Sequence, residues 1–223
     1  MPKSRFIKKI SPIILCLGLS FIQSKNLETK QSLTKNIQQI TKIDVYESNY
    51  SKDWTGDVRT VNVSVGADEE FIEKYGDSWK NRVDEYIKNA SENYYRNFGI
   101  EFNIIEYIEW KSYDFSYYND LLNDIKNIGA SGDIFIAYTK QTDQLDYLSL
   151  GIAEYKYAIV RDTWTKCTIY STAHEMGHLF GLNHVLESWS YMNSSTFFCH
   201  PNLADWDKIS KEKMLKNKYK HFE

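Results

Sequence analysis

Long apolar runs are missing from this chain of 223 residues. The one apolar stretch, Ile10 to Ile22, is interrupted by polar residues and falls short of the roughly 20 residues that cross a bilayer. No stable membrane span is therefore expected. Internal repeats and low-complexity tracts are also absent, which leaves a single domain large enough to bury a proper core. An excess of positive charge is lacking: 27 Lys and Arg stand against 30 Asp and Glu, a formal net charge of −3. That balance argues against nucleic acid as a partner. No D-x-[DN]-x-[DN]-G loop occurs, so calcium, though compatible with the chain, has no motif behind it. Cysteine is limited to three residues, none between Cys16 and Cys167.

What is present begins at the N-terminus. Lys3, Arg5, Lys8 and Lys9 precede the apolar stretch, and Ser20 and Ser24 are small residues suited to signal peptidase. Residues 1–24 are expected to be a signal peptide, and the protein to be secreted or extracytoplasmic. The other reading of this segment is an internal amphipathic helix. A lipid anchor through Cys16 is a minor alternative, weakened by the bulky Leu15 before it. Removing residues 1–24, with four basic and no acidic residues, takes the formal net charge from −3 to −7. Residues 25–56, rich in Lys, Gln, Asn and Thr, suit an N-terminal arm or short pro-segment, and the folded domain is expected over 57–223. Cys167 and Cys199 are expected either as a disulfide in an oxidising compartment or as two separate buried thiols.

The densest information lies in His174-Glu175-Met176-Gly177-His178-Leu179-Phe180-Gly181-Leu182-Asn183-His184. This is H-E-x-x-H-x-x-G-x-x-H. Residues four apart on a helix share a face, so His174 and His178 reach one metal ion. Gly181 tolerates the positive φ that ends the helix, and the turn brings in His184 as third ligand. Three ligands leave a fourth position open, the arrangement of catalytic zinc. Glu175 reaches that open position as general base without binding the metal. His200 and His221 have no partners at ligand spacing.

At these residues the chain resembles the metzincin metalloproteases, and Ser190-Tyr191-Met192-Asn193 resembles the family's Met-turn. The resemblance implies a zinc endopeptidase acting on protein or peptide substrates, with Met192 as an apolar floor beneath the histidines; the chain is expected to be a monomer. It implies an α+β domain: a five-stranded twisted mixed sheet, a zinc helix, the Met-turn and a C-terminal helix. Leu148 to Ala153 resembles the family's cleft-lining edge strand, which makes Gly151, Ile152 and Ala153 substrate-binding candidates. Phe197 and Phe198 lie where the family builds its specificity pocket. Val63 to Asp68, Phe71, Tyr75-Gly76 and Phe98-Gly99-Ile100 are most similar to the reprolysin (adamalysin-like) branch. Val185 departs from that branch's Asp after the third histidine. Ser194 stands where astacins and serralysins carry a tyrosine, so no tyrosine switch is assigned. Two other functions compete: a catalytically silent zinc-containing binding module, which intact Glu175 argues against, and an exopeptidase.

Periodicity places the remaining elements. Val61, Val63 and Val65 alternate as one face of a first strand. Trp79, Val83, Ile87, Ala90 and Tyr94 recur at helical spacing behind an Asp77 N-cap, and Gly99 closes that helix. A strand is expected over 100–110, a helix over 119–128, strands over 134–138 and 157–161, and the zinc helix over 168–181. A last helix opens at Asn202 with Asp205 three residues on, and turns Ala204, Ile209 and Met214 inward.

Overall fold

The structure is a computed structural model that describes residues 54–112, 117–141, 149–194, 199 and 204–222. These belong to one unit, residues 51–223. Five strands form one sheet: β1 (Arg59–Ala67), β2 (Ile100–Glu109), β3 (Ile134–Thr139), β4 (Gly151–Glu154) and β5 (Tyr157–Arg161), in the order β2-β1-β3-β5-β4. All neighbours run parallel except β4, which is antiparallel to β5 and forms one edge. Five helices accompany them: α1 (Glu69–Tyr75), α2 (Trp79–Phe98), α3 (Tyr118–Ile128), α4 (Thr165–Leu179) and α5 (Lys208–Asn217). The mixed α+β sheet expected from the sequence is the one observed.

The central strands are buried on both faces, as parallel strands are, while alternate residues of the edge strand β2 are exposed. On one face Val61, Val63, Val65, Ile134, Ile136 and Tyr138 pack with the apolar stripe of α2 and the inner face of α4. On the other, Phe135, Ala137 and Ile159 pack with Leu121, Leu122 and Ile125 of α3. Trp79, Val83, Ile87, Ala90 and Tyr94 are all buried, as their spacing required. Gly99 caps α2 in the left-handed conformation (φ 64°), its N–H donating to Tyr95 O. Trp54, ahead of the expected start of the domain, is buried with its indole N–H donating 2.8 Å to the same carbonyl.

Some boundaries move. Helix α1 was not expected; seven residues carry too little periodicity to announce a helix, but Asp68 caps it by accepting the Phe71 N–H at 2.9 Å. Asp77 lies in a 3-10 turn at Gly76–Ser78, and α2 begins after it. The zinc helix begins at Thr165, three residues early. The C-terminal helix corrects the sequence reading most. Its N-cap is Asp207, whose side chain accepts the Ser210 N–H. Asp205 instead pairs in an isolated bridge with Ser190, Asn202 lies outside the described residues, and Ile209 is 65% exposed, leaving Met214 as the buried apolar side chain of α5. Among the described residues, no helix is long and apolar enough to cross a membrane.

Candidate metal centre and active site

Helix α4 crosses the sheet with most of its length buried. Tyr94 of α2, fully buried, donates its hydroxyl to Ala173 O at 2.8 Å and fixes the helix beside His174. The end of α4 is fixed from a third element: Asn217 of α5 donates to Phe180 O at 2.7 Å. Gly181 then takes φ +83°, the left-handed region glycine enters without strain, and the chain reverses to carry His184 back over the helix.

The three histidine Nε2 atoms converge. They lie 3.0 Å (His174 to His178), 3.1 Å (His178 to His184) and 3.2 Å (His174 to His184) apart. A single ion at a zinc–imidazole length of about 2.0–2.1 Å reaches all three. Backbone carbonyls set the tautomers of two rings. A carbonyl only accepts, so His174 Nδ1 donates to Tyr191 O (2.6 Å) and His178 Nδ1 donates to Leu182 O (2.9 Å). Their Nε2 atoms are left as bare lone pairs, the form that binds metal. Burial pushes His174 down to about 3, with help from the neighbouring His178 and His184; burial also lowers His178 and His184. Neutral imidazoles with lone pairs aimed at one point are the donor set a divalent zinc ion fits.

Beneath the histidines lies the Met-turn. Met192 is fully buried against α4 at Gly177, where a Cβ would fall 2.5 Å from its Sδ. The Met192 N–H donates to Ser190 Oγ (3.1 Å), the Ser190 hydroxyl donates to Asp207 (2.6 Å), and the Met192 carbonyl accepts the Val185 N–H (2.9 Å). The turn is thereby tied to α5 and to the third histidine's segment. Tyr170 stacks on His174 and on Tyr191, and Tyr191 stacks on Trp206. A disulfide joins Cys167, early in α4, to Cys199 beyond the Met-turn.

Glu175 faces a cleft of about 530 Å³ that also takes in the three histidines and the edge strand at Gly151, Ile152 and Ala153. Its side chain is buried, and Oε2 has no hydrogen-bond partner among the described residues. Burial raises the carboxyl to about 8. The structure thus gathers His174, Glu175, His178, His184, Met192 and the β4 residues at one place. Phe197 and Phe198 lie outside the described residues, as does His200, while His221 is exposed and is not among the convergent histidines. Sequence reasoning missed the carbonyls of Tyr191 and Leu182, because a backbone acceptor has no residue signature. It missed Tyr170 and Asn193, which also line the cleft. For Tyr170 a signal existed, an aromatic four residues before His174 on the same helix face.

Comparisons with known proteins agree with this geometry. Residues 57–209 match the Reprolysin_5 model, described as metallo-peptidase family M12. The fold is similar to archaemetzincin from Methanopyrus kandleri, with a TM-score of 0.56 and 18% identity over 71% of this chain and 96% of that one. It is also similar to a chain in a structure described as a chaperone–substrate complex, with a TM-score of 0.54 and 14% identity over 76% of this chain and 36% of that chain. No curated protein matches. With more than half its length matched to that family and three histidines gathered for one ion, the chain belongs to metallo-peptidase family M12 and is a metzincin-like zinc metalloprotease.

Proposed function

We propose that the protein is a secreted endopeptidase that cleaves extended peptide segments laid along β4, with Glu175 as general base and then general acid. The observation that carries the reading is the convergence of the three Nε2 atoms beside an unpartnered, buried carboxylate on the floor of an open cleft.

Zinc held by His174, His178 and His184 supplies Lewis acidity, bringing the pKa of a water toward about 7 and polarising a carbonyl. This chain's residues do the rest. Tyr191 O and Leu182 O hold two of the rings in the ligating tautomer. Glu175, one residue beyond His174, takes the proton of the attacking water and passes it to the departing amine. An edge strand has unpaired backbone groups on its outer side, and an extended peptide adds to it without demanding particular side chains.

Export is supported by the basic and apolar pattern of residues 3–22 and by the Cys167–Cys199 bridge, which suits an oxidising compartment. Internal cleavage is tested with peptides blocked at both termini, products being mapped by mass spectrometry. Cuts within blocked peptides support the endopeptidase. Release of single residues from unblocked peptides alone makes it an exopeptidase.

A further inference from the structure

Strand β4 opens at Gly151, and this glycine is not there for its backbone. Its φ lies outside the left-handed region where glycine is favoured; among the described residues the glycines that do lie there are 56, 76, 99, 129 and 181. Space is what requires it. A Cβ built on Gly151 would lie 2.6 Å from Glu175 Oε1 and 2.8 Å from Glu175 Cγ on one side, and 2.7 Å from Ile159 O on the other. Real Cβ atoms essentially never come within 3.0 Å of such neighbours. The gap between the Glu175 carboxylate and the β5 backbone therefore admits no side chain.

Among the described residues nothing else is seen to hold that carboxylate. Oε2 is buried with no hydrogen-bond partner among the described residues, and its cleft neighbours His174 and His178 turn their Nδ1 atoms to backbone carbonyls and their Nε2 atoms to each other. A side chain with three rotatable bonds and no tether is placed by what it rests against. Here it rests on the bare backbone at the start of β4, the strand along which substrate would lie.

We propose that Gly151 is a positioning residue for Glu175: its missing side chain is the seat of the carboxylate and sets where that carboxylate projects into the cleft. This goes past the sequence-level role of Gly151 as a substrate contact and rests on the reading of Glu175 as general base. The four-residue edge strand is paired through β5, with Gly151 opposite Val160 and the Arg161 N–H donating to Leu150 O at 2.8 Å. An added methyl must displace either that strand or the carboxylate, and both outcomes separate the base from its seat.

The test is a pair of cycles. In the zinc-loaded enzyme, Gly151→Ala, Glu175→Asp and the double variant are compared by kcat and KM on one peptide. A misplacement on the order of 1 Å costs about a hundredfold, so Gly151→Ala lowers kcat by about tenfold to a hundredfold while KM stays within about threefold. Glu175→Asp, which draws the carboxylate back by one methylene, adds little once Gly151 is alanine. Independent, multiplying losses overturn the proposal while leaving Glu175 as base. A Glu175→Gln enzyme as active as wild type overturns the base reading itself.

The second cycle reads melting temperature in the metal-free chain. Gly151→Ala lowers it with Glu175 present, and part of the loss is recovered when Glu175→Ala vacates its side of the gap, the approach to Ile159 O remaining. An equal loss in both backgrounds overturns the proposal. Should Gly151→Ala alone fail to fold, folding restored by Glu175→Ala supports the contact, and failure of both variants refutes it.

Discussion

Alanine at Gly177 brings two opposed effects onto the zinc helix, and their balance depends on whether Met192 lies where the structure places it. Glycine inside a helix costs about 1 kcal/mol relative to alanine, so in isolation Gly177→Ala stabilises. The new Cβ would fall 2.5 Å from Met192 Sδ, 3.3 Å from Met192 Cε and 3.4 Å from Leu182 Cδ1. Atoms of this kind settle at about 3.5–4.0 Å, so the thioether must retreat by about 1 Å. Met192 is fully buried and has no solvent side to retreat into. Overpacking of that kind costs about 1–3 kcal/mol, which outweighs the helix gain and leaves a net loss of about 0–2 kcal/mol. In a Met192→Ala background, itself about 2–5 kcal/mol less stable, the obstruction is gone and Gly177→Ala stabilises by about 1 kcal/mol. Urea unfolding of the four metal-free variants measures the cycle, and chelator competition on the same samples shows whether the displaced methionine weakens zinc binding. Stabilisation by Gly177→Ala with Met192 in place would refute the reasoning, since the helix gain would then be unopposed.

Three further perturbations follow from other parts of the fold. Closing a loop across 32 residues, the Cys167–Cys199 bridge contributes about 3–4 kcal/mol by restricting the unfolded chain; a double Cys→Ser variant should melt lower by a matching amount, and a melt unmoved by reductant would contradict this. Asp207 both caps α5 and accepts the Ser190 hydroxyl, so Asp207→Ala loses a cap and strands a buried donor, together about 2–4 kcal/mol, with weakened zinc binding because the Met-turn loses its tie. Asp68 is buried at the start of α1, and burial raises its pKa from 3.8 to about 7, the charges of Glu70 and Glu69 adding to the shift against hydrogen bonds from Thr139 and the Phe71 N–H. The folded state therefore holds this proton more tightly than the unfolded chain, and the group's contribution to stability is fullest below about pH 4 and falls as pH rises to about 7. Between about pH 5 and about pH 8 that loss is about 3 kcal/mol, and Asp68→Asn, which keeps the capping acceptor, should remove it; equal pH dependence in both proteins would sink the assignment.

The zinc helix, the three ligands and the long helix α2 were legible because each rests on spacing along one element. His174, His178 and the apolar stripe of α2 repeat at helical intervals, and Gly99 and Gly181 mark turns that only positive φ allows. Strand β1 was legible on one face. The burial of Ser64 and Gly66 on its other face was not, since a small or polar residue does not reveal that Gly132 will approach Ser64 and Phe135 will lie against Gly66. The start of α5 was misplaced because Asn202 and Asp207 are both good caps in sequence, and nothing local shows that Asp207 is the one held by Ser190, 17 residues before it. The carbonyls that orient His174 and His178, and the close approach of Glu175 to Gly151, are tertiary contacts between backbone and side chain; no residue pattern encodes them.

The central claim is that three histidines hold one zinc and that Glu175 does chemistry beside it. It is tested most directly by measuring zinc stoichiometry and internal peptide cleavage together, on wild type and Glu175→Gln. The account predicts one zinc per chain in both proteins, cleavage by the wild type that a chelator abolishes and zinc restores, and a loss of about a hundredfold or more in the variant. One tightly held zinc with no cleavage by either protein would contradict it and leave a binding module on a protease fold.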